Sequence, residues 1–388
     1  MSRQGKIYRL TSIDFLRGLV MVIMALDHVR DYFWDARFDP LDLEQTNVVW
    51  YVTRWITHFC APIFVLLAGL SAGLMAKRRT KAQLSRFLFT RGLWLIFIEV
   101  TVVTFAWTFQ PLQNLVILQV IWAIGVSLIV MSALIWTPKY FIAAFAIIMV
   151  FGHNILDFGL FPLPVSFDEL SPFWHALHNP VFTLDMGFPI VAAYPVIPWI
   201  GVMPMGYLLA GLYRMESEER QKWLIRIGLS AVILFFILRT INYYGDPNVW
   251  VTQKDMLWNI LAFFNVTKYP PSLLYLLITL GPGLMMLGYA EKWRGRFVNG
   301  MVVFGQVPFF YYILHLYVIH LAALLAAEFQ GLGWRTTLMD SFSFAPEYGF
   351  GPLVVWAVWF ILILSLYPLC KWFADIKKRR SYWWLSYL

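Results

Sequence analysis

Arg17 and His28 stand at the two ends of a short apolar run, RGLVMVIMALDH. They are eleven positions apart, and α-helical steps of about 100° per residue bring the two side chains onto one face. Their separation along the helix axis is about 16 Å, half of the thickness of the bilayer hydrocarbon. Such a stripe suits a long substrate with an anionic head and a distant reactive group. A coenzyme A thioester has this shape, with phosphates for Arg17 and a thioester delivered beside His28.

Three carboxylates accompany this pair in the sequence. Asp14 precedes Arg17 by three residues and can pair with it on the same part of the helix. Asp31 follows His28 by three residues and is better placed to orient it than Asp27, which is adjacent in sequence but about 100° away around the helix. We therefore expect Arg17 and Asp14 to serve the donor. His28 would deprotonate an acceptor or receive an acyl group, oriented by Asp31 or Asp27.

A second pair of candidates opens the next apolar segment, TRWITHFCAP, in which Arg54 and His58 are four residues apart on one helix face. Topology places them level with His28. One imidazole could then act as base while the Arg54 guanidinium stabilises an oxyanion. The alternative is structural, with Arg54 extending to the lipid headgroups and His58 at the helix entry.

The segment VPFFYYILHLYVIH carries His315 and His320. Five residues put these two about 140° apart on a helix, so they cannot both face one site. Tyr311 and Tyr312 lie one turn before His315 and are expected to be its hydrogen-bond partners. We expect His315 and Tyr312 to belong to the donor site.

The remaining histidines and the two cysteines give no motif. His153, His175 and His178 have no carboxylate at a suitable ligand spacing, so no metal is predicted. Cys60 and Cys370 fall near opposite membrane faces, which makes a disulfide between them improbable.

Composition identifies the setting of these residues. The chain has 388 residues, of which 60% are hydrophobic and 13% charged, and its mean hydropathy is +0.66. These values are typical of an integral membrane protein built from helices, and residues 1–388 form a single domain. The expected fold is an all-α polytopic bundle of about ten spans, at 12–33, 51–76, 87–109, 112–136, 139–156, 190–213, 223–244, 271–290, 300–326 and 351–373.

Charge sets the expected orientation. Basic residues gather in the amino-terminal tail, in the loops after spans two, six and eight and in the carboxy-terminal tail, whereas the opposite loops are mostly acidic. The positive-inside rule then places both termini in the cytoplasm. This asymmetry accounts for the net charge of +8 without a nucleic-acid partner.

Glycine, proline and amphipathic segments predict further features of the bundle. GLSAG, with Gly69 and Gly73, predicts a close helix contact, and the proline-rich spans six and eight favour a cavity between them. DMLWNILAFFN predicts a short helix in the membrane interface.

Four segments together resemble a known family: SIDFLRGLVMVIMALDH, RWITHFCAPIFVLLAG, TKYPPSLLYLLITLGPG and FGQVPFFYYILHLYVIH. They are similar to bacterial membrane proteins related to heparan-alpha-glucosaminide N-acetyltransferase. The spacing of Arg17 and His28 also resembles the Arg-x10-His signature of membrane acyltransferases that O-acetylate cell-surface glycans. The resemblance implies transfer of an acetyl group from cytosolic acetyl-CoA to a sugar across the membrane.

The resemblance carries over residue by residue only in part. Asp14, Arg17 and Gly18 match the family's opening, and His28 matches the acyltransferase signature histidine. In the lysosomal branch the reactive histidine lies between the first two spans, but residues 34–57 hold none and His58 is the first. His28 and His58 are therefore alternatives for the catalytic residue.

The sequence thus predicts an acyl-CoA-dependent transmembrane acyltransferase of the bacterial cytoplasmic membrane. It would contact membrane lipids, use acetyl-CoA or another acyl-CoA, and modify a hydroxyl or amine of a sugar or glycan at the outer face. The acidic outer loops favour a neutral or cationic acceptor. The alternative is a proton-coupled secondary transporter with its substrate near the proline-broken spans. A homodimer is an arrangement that the sequence leaves open.

Overall fold

A computed structural model describes residues 11–35, 38–111, 115–158, 174, 176–178, 181–185, 189–338, 347–380, 382 and 385. The basic amino-terminal tail and His175, which entered the sequence predictions, lie outside the described residues.

Helices make up most of the described chain, as predicted. Fourteen helical segments are labelled here in chain order: α1 (Thr11–Phe33), α2 (Val48–Ile56), α3 (Cys60–Met75), α4 (Lys81–Ile98), α5 (Thr104–Thr108), α6 (Val120–Leu134), α7 (Lys139–Phe151), α8 (Ile197–Leu209), α9 (Ser217–Ile241), α10 (Met256–Phe264), α11 (Leu273–Tyr289), α12 (Arg296–Gln306), α13 (Pro308–Phe329) and α14 (Pro352–Arg379). Shorter helical turns cover Thr57–Phe59, Glu99–Val103, His153–Phe158, Ala210–Arg214 and Trp334–Thr337.

A small sheet interrupts the helices and corrects the all-α prediction. Its strands are β1 (Val116–Leu118), β2 (Val181–Asp185) and β3 (Pro189–Ala192). They lie in the order β1-β3-β2, with β1 parallel and β2 antiparallel to β3. The described part of the span predicted at 112–136 therefore does not begin as a helix. Its first described residues pair with β3, and α6 begins only at Val120.

Six helical runs in the described chain are long and apolar enough to cross a membrane: Val48–Met75, Lys81–Thr108, Lys139–Asp157, Ser217–Ile241, Pro308–Phe329 and Pro352–Arg379. Val120–Leu134 and Leu273–Tyr289 are apolar but shorter. The protein is thus an integral membrane protein, whereas the number of ten spans stays a prediction.

The predicted span at 300–326 consists of two helices. α12 ends at Gln306 and α13 begins at Pro308. Proline lacks a backbone N–H and disfavours helical geometry in the residue before it, and Val307 accordingly leaves the helix with φ −132° and ψ 46°.

The bundle has two ends of different charge. At the end called here the basic face, Lys77 Nζ donates to the Tyr213 carbonyl at 3.1 Å, and Arg220 pairs with Glu291 at 2.6 Å. At the other end, called the acidic face, the Asn265 side chain donates to the Leu41 carbonyl at 3.0 Å. Loops predicted to share a side are thus in contact. That the basic face is cytoplasmic stays a prediction.

Reciprocal glycines bring neighbouring helices into backbone contact. A Cβ built on Gly18 of α1 would lie 1.8 Å from the Met301 carbonyl oxygen of α12, and one on Gly305 would lie 1.8 Å from the Asp14 carbonyl oxygen. In a membrane, helices associate largely through such close packing. The predicted GLSAG contact is confirmed, because Gly69 and Gly73 pack against α8. Further reciprocal pairs among the described helices are Gly92 with Gly125 and Gly228 with Gly281, and Gly206 of α8 packs in turn on Leu66 and Leu70 of α3.

The first testable prediction concerns this contact. Gly305→Ala should destabilise the protein by about 2 kcal/mol or more, because the added methyl group forces α1 and α12 apart. Gly300→Ala in the same helix is the matched control, since no atom lies within 4 Å of a Cβ built there. Thermal unfolding in detergent measures both. Equal melting temperatures for the two variants would contradict the role given to the contact.

Candidate active site

A hydrogen bond joins the two histidines that the sequence left unconnected. Nδ1 of His28 in α1 lies 2.7 Å from Nε2 of His315 in α13. The two ring planes are inclined by 14°. Both side chains are buried, His28 at 8% exposure and His315 at 0%.

The hydrogen bond made by the other ring nitrogen of His315 decides which histidine donates to the other. Nδ1 of His315 lies 2.8 Å from the Tyr311 carbonyl oxygen, which can only accept. Nδ1 of His315 therefore carries the proton, and Nε2 is left as the acceptor for the N–H of His28. In the neutral pair this leaves a lone pair on Nε2 of His28, which has no hydrogen-bond partner among the described residues. His28 is thus arranged to accept a proton at a defined atom.

His28 lies on the wall of a narrow cavity of about 30 Å³, called here the central passage. The Trp107 ring packs edge-on against its imidazole, with centroids 4.9 Å apart, and limits its rotation. The described residues that line the passage are Met24, Asp27, His28, Thr57, Cys60, Ala61, Phe64, Gln119, Val120, Tyr194 and Lys268.

A larger cavity of about 410 Å³ adjoins the passage on the side of the basic face, and it is called the basic-side cavity. Met24, Phe64 and Val120 line both spaces. Its walls are mainly apolar, and its charged lining residues are Arg17, Arg91 and Lys377. A volume of this size is typical of small-molecule sites. Tyr312, predicted to serve the donor, also lines it.

Arg17 is held in this cavity by three helices. Its guanidinium donates to Asp14 Oδ1 at 3.2 Å, to the Gly305 carbonyl at 3.1 Å and to Ser71 Oγ at 3.1 Å. The predicted pairing of Asp14 with Arg17 is confirmed.

On the other side of the passage lies a cavity of about 470 Å³, the acidic-side cavity. Lys268 lines both it and the central passage. The basic-side cavity, the passage with His28 and the acidic-side cavity therefore follow one another from one end of the bundle to the other.

Asp27 is the counter-ion of several buried cations beside the passage. Its carboxylate lies 2.7 Å from Arg54, 2.7 Å from Arg30 and 3.8 Å from Lys268. Asp31 pairs with Arg30 at 2.5 Å. The expectation that Asp31 or Asp27 orients His28 by direct contact is wrong, because arginines occupy both carboxylates and His315 occupies Nδ1 of His28.

His58 has a different environment. It lies in the turn between α2 and α3, where its Nδ1 is 3.2 Å from the Arg54 carbonyl and its backbone carbonyl accepts from Tyr275 at 2.9 Å. It is 1% exposed and is not among the described residues that line the passage. Arg54, the expected oxyanion donor, is paired with Asp27.

His320 faces away from the site, as its spacing from His315 predicted. Its ring nitrogens lie 2.9 Å from the Ala106 carbonyl and 3.0 Å from the Thr337 carbonyl. Within the described ranges, no group of three or more His, Cys, Asp or Glu residues is placed to hold a metal ion.

Sequence reasoning missed Lys268, Gln119 and Tyr194. Lys268 had a visible signal, since it is a lysine beside YPP in the predicted outer segment 245–270, where the other basic residue is Lys254. Gln119 directly follows the unpredicted strand β1. Its backbone N–H donates to Glu99 at 2.6 Å, and this bond holds it at the site.

Asp246 fixes the segment that carries Lys268. Its carboxylate accepts hydrogen bonds from the Thr267 N–H at 2.8 Å, the Thr267 hydroxyl at 2.7 Å and the Ser272 hydroxyl at 2.7 Å. Burial raises the pKa of Asp246, although these hydrogen bonds favour the charged form and oppose the rise. The loop before α11 is thereby held rigidly against the end of α9.

The charge cluster yields the second prediction. Asp27→Asn should cost about 3–5 kcal/mol of stability, because it leaves Arg30, Arg54 and Lys268 without their shared carboxylate. Replacing Lys268 by Met in the Asp27→Asn background should restore part of the loss. Asp39→Asn, at an exposed carboxylate on the acidic face, is the control. Chemical or thermal unfolding measures all three, and an unchanged stability of Asp27→Asn would refute the counter-ion role.

Comparison with known proteins places the chain in a family. No curated protein matches it. The family model described as heparan-alpha-glucosaminide N-acetyltransferase, catalytic, matches residues 9–242, which include His28 and end before Lys268 and His315. This family membership indicates a membrane acetyltransferase. Because the match covers more than half of the chain, the chain belongs to the heparan-alpha-glucosaminide N-acetyltransferase catalytic family.

Proposed function

We propose that the protein transfers an acetyl group from acetyl-CoA in the basic-side cavity to an amine or hydroxyl of a sugar in the acidic-side cavity. The observation that carries the proposal is the free Nε2 of His28 in the passage between the two cavities. Family membership supports the acetyl group and the donor.

The basic-side cavity suits the donor. Arg17, Arg91 and Lys377 offer positive charge for the phosphates, and the apolar walls suit the pantetheine arm. Arg17 and His28 are about 16 Å apart along α1, so a thioester can reach the histidine while the phosphates remain near Arg17. Asp14 and Tyr312 support the donor site by holding Arg17 and by lining the cavity.

The reaction needs one base at the passage. Nε2 of His28 takes the proton of the acceptor N–H or O–H while the acceptor atom bonds to the thioester carbonyl carbon. The C–S bond then breaks, and the coenzyme A thiolate leaves and takes the proton back from the imidazolium. Lys268 lines the same passage and contributes positive charge to the field around the reacting atoms.

His315 acts on His28 rather than on the substrate. Its hydrogen bond to the Tyr311 carbonyl fixes it as an acceptor, and it holds His28 in the tautomer with Nε2 unprotonated. The same bond persists when His28 is protonated, because Nδ1 of the imidazolium still donates. His315 is therefore a positioning residue.

In this proposal the basic face is cytoplasmic, and the protein resides in a bacterial inner membrane. The donor then enters from the cytoplasm, and the acceptor is a glycan on the far side. No contact in the described part of the chain supports the transporter alternative.

His28→Asn is the third prediction. It should lower kcat for acetyl transfer about 10²–10⁴-fold, because the base is lost. Purified protein is incubated with radiolabelled acetyl-CoA and amino-sugar acceptors, and both acetylated sugar and released coenzyme A are counted. His58→Asn tests the alternative catalytic residue and should retain most of the activity. A result in which only His58→Asn is inactive would overturn the assignment.

His315→Asn is the fourth prediction. Losing a hydrogen bond to a group that becomes charged should lower kcat by about tenfold to a hundredfold. KM for acetyl-CoA should stay near the wild-type value, because His315 does not line the basic-side cavity in the described structure. Steady-state kinetics separate the two constants. A rise in KM at unchanged kcat would show that His315 binds the donor, as the sequence suggested.

A further inference from the structure

The acidic-side cavity opens into a groove along α10. This groove, called the α10 groove, has a volume of about 560 Å³ and a mostly apolar surface. Trp250 and Gln253 line both spaces, so the groove continues the cavity. Its described lining residues are Trp250, Thr252, Gln253, Lys254, Asp255, Met256, Asn259, Ile260 and Phe263.

The groove lies on a surface that continues from the membrane-crossing helix α9. Phe236 of α9 stacks on Phe263 of α10 with centroids 5.9 Å apart. Exposed apolar side chains run from Ile241 (63%) at the end of α9 to Met256 (78%) and Ile260 (45%) of α10. A hydrocarbon chain in the α10 groove would therefore be continuous with the bilayer and need not cross water.

The ammonium group of Lys268 lies where the acidic-side cavity meets the central passage. Lys268 is 7% exposed and makes no hydrogen bond in the described part of the chain, and the nearest carboxylate oxygen, on Asp27, is 3.8 Å from its Nζ. The cluster as a whole has one more cation than carboxylate: Arg30, Arg54 and Lys268 against Asp27 and Asp31.

Arg239 is a further cation of this region, and the Asp246 carboxylate partly balances its charge. It also lines the acidic-side cavity, and its described hydrogen bonds go to backbone carbonyls, among them those of Phe263 at 2.9 Å and Asn265 at 2.7 Å. The carboxylates of Asp39 and Asp42 line the same cavity, where they accept the backbone N–H groups of their own loop. The deep part of the cavity is thus suited to an anion.

We propose that the acceptor is a saccharide joined through a phosphate to a lipid. The phosphate lies near Lys268, the sugar extends into the passage toward His28, and the hydrocarbon chain occupies the α10 groove. This inference rests on the proposed function, and it replaces the neutral or cationic acceptor that the acidic outer loops favoured.

Binding of simple probes tests the inference without any transfer. Farnesyl phosphate, farnesol and inorganic phosphate are titrated against the full-length protein in nanodiscs, with tryptophan fluorescence or thermal shift as readout. Farnesyl phosphate should bind at least tenfold more tightly than either other probe. Ile260→Ser and Lys268→Gln should each weaken its binding at least fivefold. Ile361→Ser is the matched control, since Ile361 is 64% exposed on α14, away from the groove.

Each contrary result removes a defined part of the inference. Equal binding of farnesol would exclude the phosphate subsite, and equal binding of inorganic phosphate would exclude the lipid chain. Unchanged affinity of Lys268→Gln would exclude Lys268 as the phosphate ligand.

Transfer assays then separate this inference from the proposed function. Glucosamine is offered with acetyl-CoA as the methyl glycoside, as the 1-phosphate and as the farnesyl phosphodiester. The farnesyl-linked acceptor should have a KM at least tenfold below the other two, and Ile260→Ser should reduce that advantage while Ile361→Ser preserves it. Equal KM values for all acceptors would overturn the inference and leave the function standing. Probe binding without acetylation of any acceptor would overturn the function and leave the lipid phosphate site standing.

Discussion

Backbone contact between α1 and α12 determines where the chemistry of this protein can occur. Gly18 and Gly305 let the two helices touch at carbonyl oxygens, which fixes the height of α1 in the bundle. α13 follows α12 after the single residue Val307, so its height is fixed as well. His28 and His315 meet because both helices are held in this register. A side chain larger than hydrogen at either glycine would separate the two imidazoles together with the helices.

The buried charges beside the passage obey a second constraint. Asp27 lies among Arg30, Arg54 and Lys268, and such a cluster is tolerated in a low-dielectric interior only if the charges compensate one another. Removing any member changes the potential at the neighbouring His28. The cluster therefore links the stability of the bundle to the proton affinity of the proposed base, and its one surplus cation leaves room for an anionic ligand.

The periodicity of the sequence predicted those features whose geometry is set within a single helix. Spacing along one segment predicted that Asp14 pairs with Arg17, that His315 and His320 point in different directions, and that DMLWNILAFFN forms a short helix. All three are observed. The common face of Arg17 and His28 was predicted from spacing in the same way. The partner of His28 was not predictable in this way, because 287 residues separate it from His315. Lys268 was missed for the same reason, since its position depends on Asp246 and on the packing of α9 and α11. The strand β1 was hidden within an apolar run that suits a helix equally well.

The size of the central passage has a consequence for the proposed reaction. Its volume of about 30 Å³ compares with about 410 and 470 Å³ in the cavities on either side, so it is too narrow for a thioester and a sugar to meet. Met24 and Phe64 line both the passage and the basic-side cavity, so a change in their rotamers enlarges one space at the expense of the other. Methionine adapts easily, since it has three rotatable bonds and no branch. Movement of these two side chains would therefore widen the passage for the proposed transfer. A closed passage keeps water from crossing between the cavities and limits hydrolysis of the thioester.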